Sequence, residues 1–345
     1  MEKVFNRPSG GATTDDAVSE LPVAVVAATT LPSIGIKGRF KALLAALRPR
    51  QWTKNFAVFV GLVFAQRLFN VVAFERTTLA FVTFCFASSI IYLINDLLDL
   101  EKDRRHPVKR LRPLASGRLP RSWAIAMVGV LLCICGGLLY WVFQIPLARG
   151  QEALFAPFGG ANLLFALTIA TYLLLMVFYS IRLKHIVLID VFLIASGFVL
   201  RILAGTVVIP VSISPWLYMV TCLLALFLAL SKRRHELVLL QDDASKHRQI
   251  LKEYSIPLLN QMISITVAAI VMAYSLYTFQ GPSGDGHLIV TVPLVLYGVF
   301  RYLYVMYMRQ GGGSPEEVLL RDRHMLVTVL LCTILIIVVL YVIPA

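Results

Sequence analysis

The chain has 345 residues, of which 58% are hydrophobic and only 15% are charged. This composition excludes an ordinary soluble domain and is typical of an all-α protein that crosses a membrane several times. The formal net charge of +13 could indicate binding to nucleic acid. Because the bases are spread over the loops between apolar stretches, we predict membrane lipid as a partner and no nucleic acid.

The N-terminal segment is rich in Ala, Thr, Ser, Gly and Pro. Its apolar patch at 21–31 is too short to cross a bilayer. No basic flank lies directly before that patch, which argues against a signal peptide. We expect residues 1–44 to form a disordered cytoplasmic tail and residues 45–345 to form one transmembrane domain.

Nine apolar stretches follow, each close to the roughly 17–25 residues that a helix needs to cross a bilayer. They predict a polytopic membrane protein with nine transmembrane helices around a central polar cavity that faces the cytoplasm. Arg67 interrupts the first of them. The predicted spans are 54–72, 78–98, 122–143, 162–180, 187–208, 214–231, 256–278, 288–308 and 325–343.

The distribution of basic residues predicts the orientation of these helices. If the N-terminus is in the cytoplasm, the inside segments carry 27 of the 32 Lys and Arg residues. The outside loops then hold only Arg67, Arg76 and Arg149. Because cytoplasmic loops are enriched in Lys and Arg, we predict a multi-pass protein of the inner (cytoplasmic) membrane, with the N-terminus in the cytoplasm and the C-terminus outside.

The second predicted span ends in a charged motif, YLINDLLDLEKDRRHPVKRLRPLASG, at residues 92–117. Its acidic half places four oxygen-bearing side chains about one helical turn apart: Asn95, Asp96, Asp99 and Asp103. Such a row repels itself unless it holds a cation, and hard oxygen ligands suit Mg2+ bound together with substrate phosphates. The basic half adds Arg104, Arg105, His106, Lys109, Arg110 and Arg112. The motif predicts a site for Mg2+ and a diphosphate; the alternative is a solvated loop that only sets topology.

Other polar side chains fall at the same ends of the predicted helices. They are Arg48, Arg50, Lys54, Tyr179, Arg182, Lys184, Asp190, Lys232, Arg233, Arg234, His235 and Glu236. Ionisable groups beside a membrane are costly and usually face a cavity, so their common depth predicts one polar pocket. Arg201 shares a helix face with Asp190 but lies about 16 Å away at 1.5 Å per residue. It either points into the bundle as a binding residue or bridges helix backbones.

These motifs carry a resemblance to a known family. NDLLDLEKD fits the NDxxDxxxD pattern of the first aspartate-rich motif in the UbiA-type intramembrane prenyltransferase superfamily, and the resemblance covers residues 45–343. The longer stretch NDLLDLEKDRRHPVKRLRPLASG, with RPRQWTKN and YSIRLKHIVLIDVFLIASGFVLR, is similar to the decaprenyl-phosphate phosphoribosyltransferase branch. The aromatic prenyltransferases of the superfamily carry a second aspartate-rich motif after the sixth helix. Here Lys232, Arg233 and Arg234 stand at that position.

The resemblance implies a Mg2+-dependent enzyme that transfers the 5-phosphoribosyl group from phosphoribosyl diphosphate to a polyprenyl (decaprenyl) phosphate. Pyrophosphate would be released, and the product would serve the synthesis of arabinose precursors of the cell envelope. The implied metal ligands are Asn95, Asp96, Asp99 and Asp103, and the implied catalytic residues are Asp96, Asp99, Asp103 and Lys184. The implied ligands of the donor phosphates are Arg104, His106, Lys109 and Arg112.

Further substrate-binding residues follow from the same resemblance. The acceptor phosphate or the ribose 5-phosphate would be bound by Lys54, Tyr179, Lys184 and Lys232 or Arg233. Asp190 would hydrogen-bond the ribose hydroxyls or orient Lys184, and Arg201 is one more candidate for substrate binding.

Two other functions stay open at this point. One is transfer of a polyprenyl diphosphate to an aromatic acceptor, as in quinone or haem biosynthesis. That reaction draws a carbocation from an allylic diphosphate, and a Lys–Arg–Arg run adds nothing obvious to it, whereas the same run would help one anion to approach another. The other is transport of an anionic metabolite, which needs polar groups along a path to the outside, and the outer helix ends are almost bare. A homo-oligomer in the membrane is compatible with the sequence.

Overall fold

A computed structural model of the protein describes residues 35–106, 108–147, 152–212, 214–240, 253–280, 286–309, 313, 318–319 and 321–342. Regular structure in these ranges is helical, which confirms the predicted all-α class. The α-helices are α1 Ile36–Ala46, α2 Phe59–Phe64, α3 Val71–Leu98, α4 Leu100–Arg105, α5 Arg121–Gln144, α6 Ala161–Ile181, α7 Ile189–Val208, α8 Pro215–Leu240, α9 Ile256–Gln280, α10 Val292–Met308 and α11 Arg323–Tyr341. Short 3₁₀ helices cover Pro49–Val58, Lys109–Leu111, Glu152–Phe158, Leu183–His185 and His287–Thr291.

Eight helices in the described ranges are long and apolar enough to cross a membrane. They agree with eight of the nine predicted spans to within a few residues, except that α3 begins at Val71 and α8 continues to Leu240. The first predicted span, 54–72, is not one α-helix. It consists of the second half of the 3₁₀ helix Pro49–Val58, the six residues of α2, a turn, and the first two residues of α3.

The segment that replaces the first helix still runs from one end of the helical body to the other. At its start, Arg48 bonds to Asp96 near the C-terminal end of α3. At its end, the carbonyl oxygens of Leu62 and Val63 accept from the hydroxyl of Tyr341, the last residue of α11.

Glycines allow this segment to pack closely against α7. A Cβ at Gly205 would lie 1.9 Å from the carbonyl oxygen of Val58, and a Cβ at Gly61 would lie 2.4 Å from the methyl group of Thr206. Small residues permit this kind of backbone approach between helices in a membrane.

Successive long helices alternate in direction. The C-terminal ends of α3, α6, α8 and α10 therefore share one end of the body with the N-terminal ends of α5, α7, α9 and α11. We call this the motif end, because residues 92–117 lie there. One apolar core joins α3, α6, α7 and the segment before α3, and another joins α7, α8, α9 and α10.

Helix α1 packs on α3 and α5 through apolar residues that include Ala42 and Leu43. Helix α1 therefore belongs to the packed part of the chain, and it overlaps the last residues of the predicted tail, 1–44. Residues 1–34 of the predicted tail lie outside the described residues.

Arg76 lies inside α3 rather than in an outside loop, which corrects the prediction for this residue. Its buried guanidinium donates to the carbonyl oxygens of Val208 at 2.6 Å, Val142 at 2.9 Å and Ile145 at 2.6 Å, and to Oδ1 of Asn162 at 2.5 Å. The carbonyl groups lie at the C-terminal ends of α7 and α5, where the helix dipole favours a cation. Arg76 therefore ties α5, α6 and α7 together at the end of the body opposite the motif end.

Replacing Arg76 by Met is expected to lower the free energy of unfolding by roughly 2–4 kcal/mol, because buried carbonyl oxygens lose a charged donor. Reversible unfolding of the purified protein in mixed micelles measures this difference. The exposed Arg67 provides the control, and Arg67→Met is expected to unfold as the unsubstituted protein does. Equal stability of the Arg76 and Arg67 variants would contradict the role of Arg76.

Candidate active site

The acidic motif begins at the end of α3, where Asp96 is 2% exposed. Its Oδ1 atom accepts from Arg48 at 2.6 Å and from Arg112 at 3.2 Å. Arg48 has a left-handed backbone with φ of 54°, and its guanidinium lies 4.7 Å from the centre of the Tyr92 ring. The Oδ2 atom of Asp96 is buried and has no hydrogen-bond partner among the described residues.

Arg112 links two carboxylates of the motif. Besides Asp96, it donates to Oδ2 of Asp103 at 2.6 Å. Asp103 is buried on α4, one short helix further along the chain. The chain turns after α4 through the 3₁₀ helix Lys109–Leu111, and this turn brings Arg112 close to both carboxylates.

Asp99 and Lys184 form the contact that joins the acidic motif to the connection between α6 and α7. The Nζ atom of Lys184 lies 2.8 Å from Oδ1 and 2.7 Å from Oδ2 of Asp99. Asp99 ends α3, and Lys184 is buried in the 3₁₀ helix Leu183–His185 that connects α6 to α7. The structure therefore brings together two residues that are 85 positions apart in the sequence.

A second polar cluster lies at the start of α7 and the end of α8. Asp190 and Arg233 are both fully buried, and Nε of Arg233 donates to Oδ2 of Asp190 at 2.5 Å. Arg233 also pairs with Glu236 and donates to the hydroxyl of Tyr179 at 3.2 Å. The hydroxyl of Tyr254 donates to Oδ1 of Asp190 at 2.8 Å.

Tyr254 also holds a strained residue between Lys184 and Asp190. Leu188 has φ of 66°, a value that is rare for a residue with a bulky side chain. Its backbone N–H donates to the Tyr254 hydroxyl at 2.8 Å. Burial and the hydrogen bond to Asp190 raise the pKa of Tyr254 to about 12, so this phenol keeps its proton and continues to donate to Asp190.

Replacing Tyr254 by Phe is expected to disturb the turn that carries Lys184, because the Leu188 N–H loses its acceptor and Oδ1 of Asp190 loses a donor. A lost hydrogen bond to a charged group costs about 1.5–3 kcal/mol, so we expect a loss in kcat/KM of roughly 10- to 100-fold. The matched control is Tyr297→Phe, since Tyr297 is exposed on α10. A Tyr254→Phe enzyme with unchanged kinetics would contradict the positioning role of Tyr254.

Several predicted site residues lie outside these two clusters. Arg104 is exposed and pairs with Glu101, whereas His106 accepts from the backbone N–H groups of Val108 and Lys109. The side chain of Lys109 is exposed. Half-buried residues at the motif end are Asn95, Lys232 and Lys54, of which Lys54 donates to Gln51 at 2.6 Å.

Arg201 lies apart from the motif end, in the middle of the bundle. It donates to Asn55 at 2.6 Å, to the carbonyl oxygen of Gly197 at 2.5 Å and to the hydroxyl of Tyr172 at 3.0 Å. These contacts correspond to the structural alternative, in which Arg201 bridges helices.

Sequence reasoning gave no role to three members of the clusters: it did not consider Tyr254, and it placed Arg48 and Glu236 in the predicted pocket without a function. Tyr254 follows a polar stretch with no recognisable motif, and only tertiary contact reveals its role. Arg48 lies in the RPRQWTKN stretch, and the Pro–Arg–Gln break after α1 was the one local signal that its backbone departs from a helix.

The chemistry of the acidic motif fits a hard cation, although its carboxylates now pair with bases. Asp96, Asp99 and Asp103 offer oxygen donors of the kind that Mg2+ prefers, and one buried oxygen of Asp96 lacks a partner. In the part of the chain that the structure describes, no three His, Cys, Asp or Glu side chains are grouped closely enough to hold a metal ion. Arg48, Arg112 and Lys184 form ion pairs with these carboxylates.

Two cavities of the structure lie away from these clusters. One of about 210 Å³ adjoins Arg76 at the opposite end of the body, and one of about 530 Å³ lies between α9 and α10. A central cavity that opens to the cytoplasm therefore stays a prediction.

The described residues thus form a helical body with eight helices long and apolar enough to cross a membrane and an acidic motif at the end of one of them. The chain belongs to the UbiA prenyltransferase family, which it matches over residues 55–320.

Two relatives within this family share one name. A decaprenyl-phosphate phosphoribosyltransferase from Corynebacterium glutamicum is 34% identical over 309 residues, which are 88% of this chain and 87% of the relative. A protein of the same name from Mycolicibacterium smegmatis is 31% identical over 306 residues, 83% of this chain and 88% of the relative.

Solved structures support the same fold. The structure of a UbiA homolog from Archaeoglobus fulgidus bound to GPP and Mg2+ has a TM-score of 0.63 to this chain at 17% sequence identity. It covers 88% of this chain and 100% of the homolog. At this level of identity the likeness establishes the fold alone.

Proposed function

We propose that this protein transfers the 5-phosphoribosyl group from phosphoribosyl diphosphate to a polyprenyl phosphate such as decaprenyl phosphate, with release of pyrophosphate. The relatives named decaprenyl-phosphate phosphoribosyltransferase support this activity, since they align over most of both chains. A role in making arabinose precursors of the cell envelope is part of the same proposal.

The observation that carries the proposal is the contact of Asp99 with Lys184. It joins the acidic motif to the YSIRLKH segment, the two stretches on which the likeness to the phosphoribosyltransferase branch depends. The basic run at the end of α8 supports the same reaction, because Lys232, Arg233 and Arg234 stand where an aromatic prenyltransferase would carry acids. A basic site assists an anionic acceptor and has no evident use in forming a carbocation.

The reaction is a substitution at the anomeric carbon of the donor ribose. An oxygen of the acceptor phosphate forms a bond to that carbon, and the bond from the carbon to the pyrophosphate oxygen breaks. Pyrophosphate leaves with the electron pair of the broken bond. Because a phosphate ester is already an anion at neutral pH, the acceptor needs no general base.

Asn95, Asp96, Asp99 and Asp103 are the residues that would hold Mg2+. When bound, Mg2+ would supply Lewis-acid stabilisation of the charge on the leaving pyrophosphate. The bases that now pair with these carboxylates, Arg48, Arg112 and Lys184, are positioned to bind donor phosphates. The more exposed Arg104, His106 and Lys109 would add contacts from the loop after α4, and Lys54, Tyr179 and Lys232 would contact a second phosphate.

The proposed orientation puts the motif end in the cytoplasm and the N-terminus on the same side of the inner membrane. The segment Pro49–Phe64 measures about 29 Å at the rise of a 3₁₀ helix followed by an α-helix, close to the ~30 Å of a hydrocarbon core. We therefore propose nine crossings, with the C-terminus outside. Cysteine accessibility at Arg121→Cys and Phe69→Cys on intact and permeabilised cells tests this orientation, and cross-linking in membranes tests the proposed homo-oligomer.

The decisive experiment uses purified protein with labelled phosphoribosyl diphosphate, decaprenyl phosphate and Mg2+, and analyses the lipid product by mass spectrometry. We expect a lipid-linked ribose phosphate and an equal amount of pyrophosphate. A parallel reaction offers a polyprenyl diphosphate and 4-hydroxybenzoate as the aromatic acceptor. Product in the parallel reaction only would overturn the proposal in favour of an aromatic prenyltransferase.

A further inference from the structure

A groove of about 530 Å³ lies between α9 and α10, far from the acidic motif along the chain. Its α9 wall includes the small residues Ser264, Ala268 and Ser275, and its α10 wall includes Leu296, Phe300 and Leu303. This volume lies within the ~300–1,000 Å³ typical of ligand pockets. Residues 264–275 extend about 16 Å along the α9 axis, so the groove is long enough for a stretch of lipid chain.

The lining of the groove is apolar, although it includes two serines. The hydroxyl of Ser264 donates to the carbonyl oxygen of Asn260, and the hydroxyl of Ser275 donates to that of Val271. Both hydroxyls are thus satisfied within their own helix. The groove therefore suits a hydrocarbon chain rather than a polar ligand.

The motif end of the groove is closed by a polar group of three residues. Asn260 lies one helical turn before Ser264, and Tyr307 lies one turn after Leu303. Arg234 of α8 donates to Oδ1 of Asn260 at 2.7 Å, and its guanidinium lies 4.3 Å from the centre of the Tyr307 ring.

Arg234 gives this end of the groove a positive charge. Within the described ranges no carboxylate pairs with Arg234, because Glu236 pairs with Arg233 and Asp322 pairs with Arg301. An apolar groove with an arginine at one end, paired with no carboxylate of the described residues, is complementary to a lipid that has an anionic head.

Arg233 and Arg234 face opposite sides of the end of α8. Arg233 is fully buried against Asp190 and Tyr179, so it has no surface to offer to a lipid phosphate. Arg234 is half-buried and turned toward α9 and α10. Of these two arginines, Arg234 is therefore the one that a lipid in the groove can reach.

We propose that this groove docks the polyprenyl phosphate acceptor, with the phosphate at Arg234 and the first isoprene units between α9 and α10. This proposal rests on the proposed function, since it assigns a binding surface to the acceptor of that reaction. A single groove between two helices accommodates one chain, as a polyprenyl phosphate has, whereas a phospholipid has two. From Arg234 the phosphate passes the end of α8, about one helix diameter of 10–12 Å, to reach the donor.

The test compares Arg234→Gln and Ala268→Phe with matched controls. Ala268 is exposed on the groove wall, so a phenyl group there fills the groove without entering the core. The controls are Arg323→Gln, at an exposed arginine of the motif end, and Ile265→Phe, at an exposed α9 residue beside the groove. Native mass spectrometry measures decaprenyl phosphate binding without donor, and steady-state kinetics give KM for each substrate.

We expect both groove variants to bind decaprenyl phosphate about tenfold more weakly, as loss of a charge-assisted contact or of chain packing implies. The KM for the acceptor is expected to rise by the same factor, whereas the KM for phosphoribosyl diphosphate stays the same. Both control variants are expected to behave as the unsubstituted protein does. Unchanged lipid binding in the groove variants would overturn the proposal. So would equal displacement of decaprenyl phosphate by phosphatidylglycerol, which would make the groove a general phospholipid site.

The binding measurement separates this proposal from the proposed function. Suppose that the unsubstituted protein forms no ribosylated lipid but binds decaprenyl phosphate, and that both groove variants bind it more weakly. The proposed reaction is then wrong, and the groove assignment stands. If the protein makes the product and the groove variants bind and react normally, the groove assignment alone fails.

Discussion

Replacing Asp99 by Asn is expected to lower kcat by about 10²–10³-fold, the range for loss of one preorganised electrostatic contact. Asp99 is a proposed Mg2+ ligand and the partner of both Lys184 hydrogen bonds. The amide keeps the size of the side chain but removes its charge, so Lys184 loses its ion pair and a bound cation loses a ligand. The Mg2+ concentration for half-maximal activity is expected to rise together with the fall in kcat.

The matched control for this substitution is Glu101→Gln. Glu101 is exposed two residues away, and it pairs only with arginines at the surface, Arg104 and Arg121, among the partners shown. Surface ion pairs contribute about 0–1 kcal/mol, so we expect this variant to be nearly as active as the unsubstituted protein. Equal activity and equal Mg2+ dependence of the Asp99 and Glu101 variants would remove Asp99 from the site.

Eight of the nine predicted spans are helices in the structure because hydropathy and length alone identify a helix that crosses a bilayer. The first span is different because its geometry depends on its neighbours. The close approach of Val58 to Gly205 is a contact between segments more than a hundred residues apart, and no local pattern encodes a 3₁₀ helix in its place. Arg76 was misassigned for the same reason, since its partners lie on three other helices.

The sequence predicts which charged residues lie at the same depth in the membrane. It does not predict toward which neighbouring helix each of two adjacent side chains turns. The sequence predicted Asp99 and Lys184 at one depth, and their side chains are in contact in the structure; the pocket itself stays a prediction. The sequence could not show that Arg233 turns inward to Asp190 whereas Arg234 turns toward Tyr307, because two neighbouring bases look alike in a pattern. The strained Leu188 likewise has no sequence signal, since glycine or asparagine is the usual residue at such a φ value.

The second large effect is expected on stability, from replacing Arg233 by Met. The buried guanidinium is shared by Asp190 and Glu236, so its removal leaves an uncompensated charge on the fully buried Asp190. Breaking a buried ion pair in this way costs about 3–5 kcal/mol. Reversible unfolding in mixed micelles is expected to show that loss, and the population of folded protein at 37 °C is expected to fall with it.

The double variant Asp190→Asn/Arg233→Met distinguishes loss of charge balance from loss of packing. With both charges removed, the amide can still accept from Tyr254, and no buried carboxylate at position 190 is left without a cation. We expect the double variant to recover at least half of the stability that Arg233→Met loses, because removing both members of a buried ion pair is far less costly than removing one. If the two substitutions instead add their separate costs, Arg233 stabilises the protein by filling space, and the second cluster is not held together by charge.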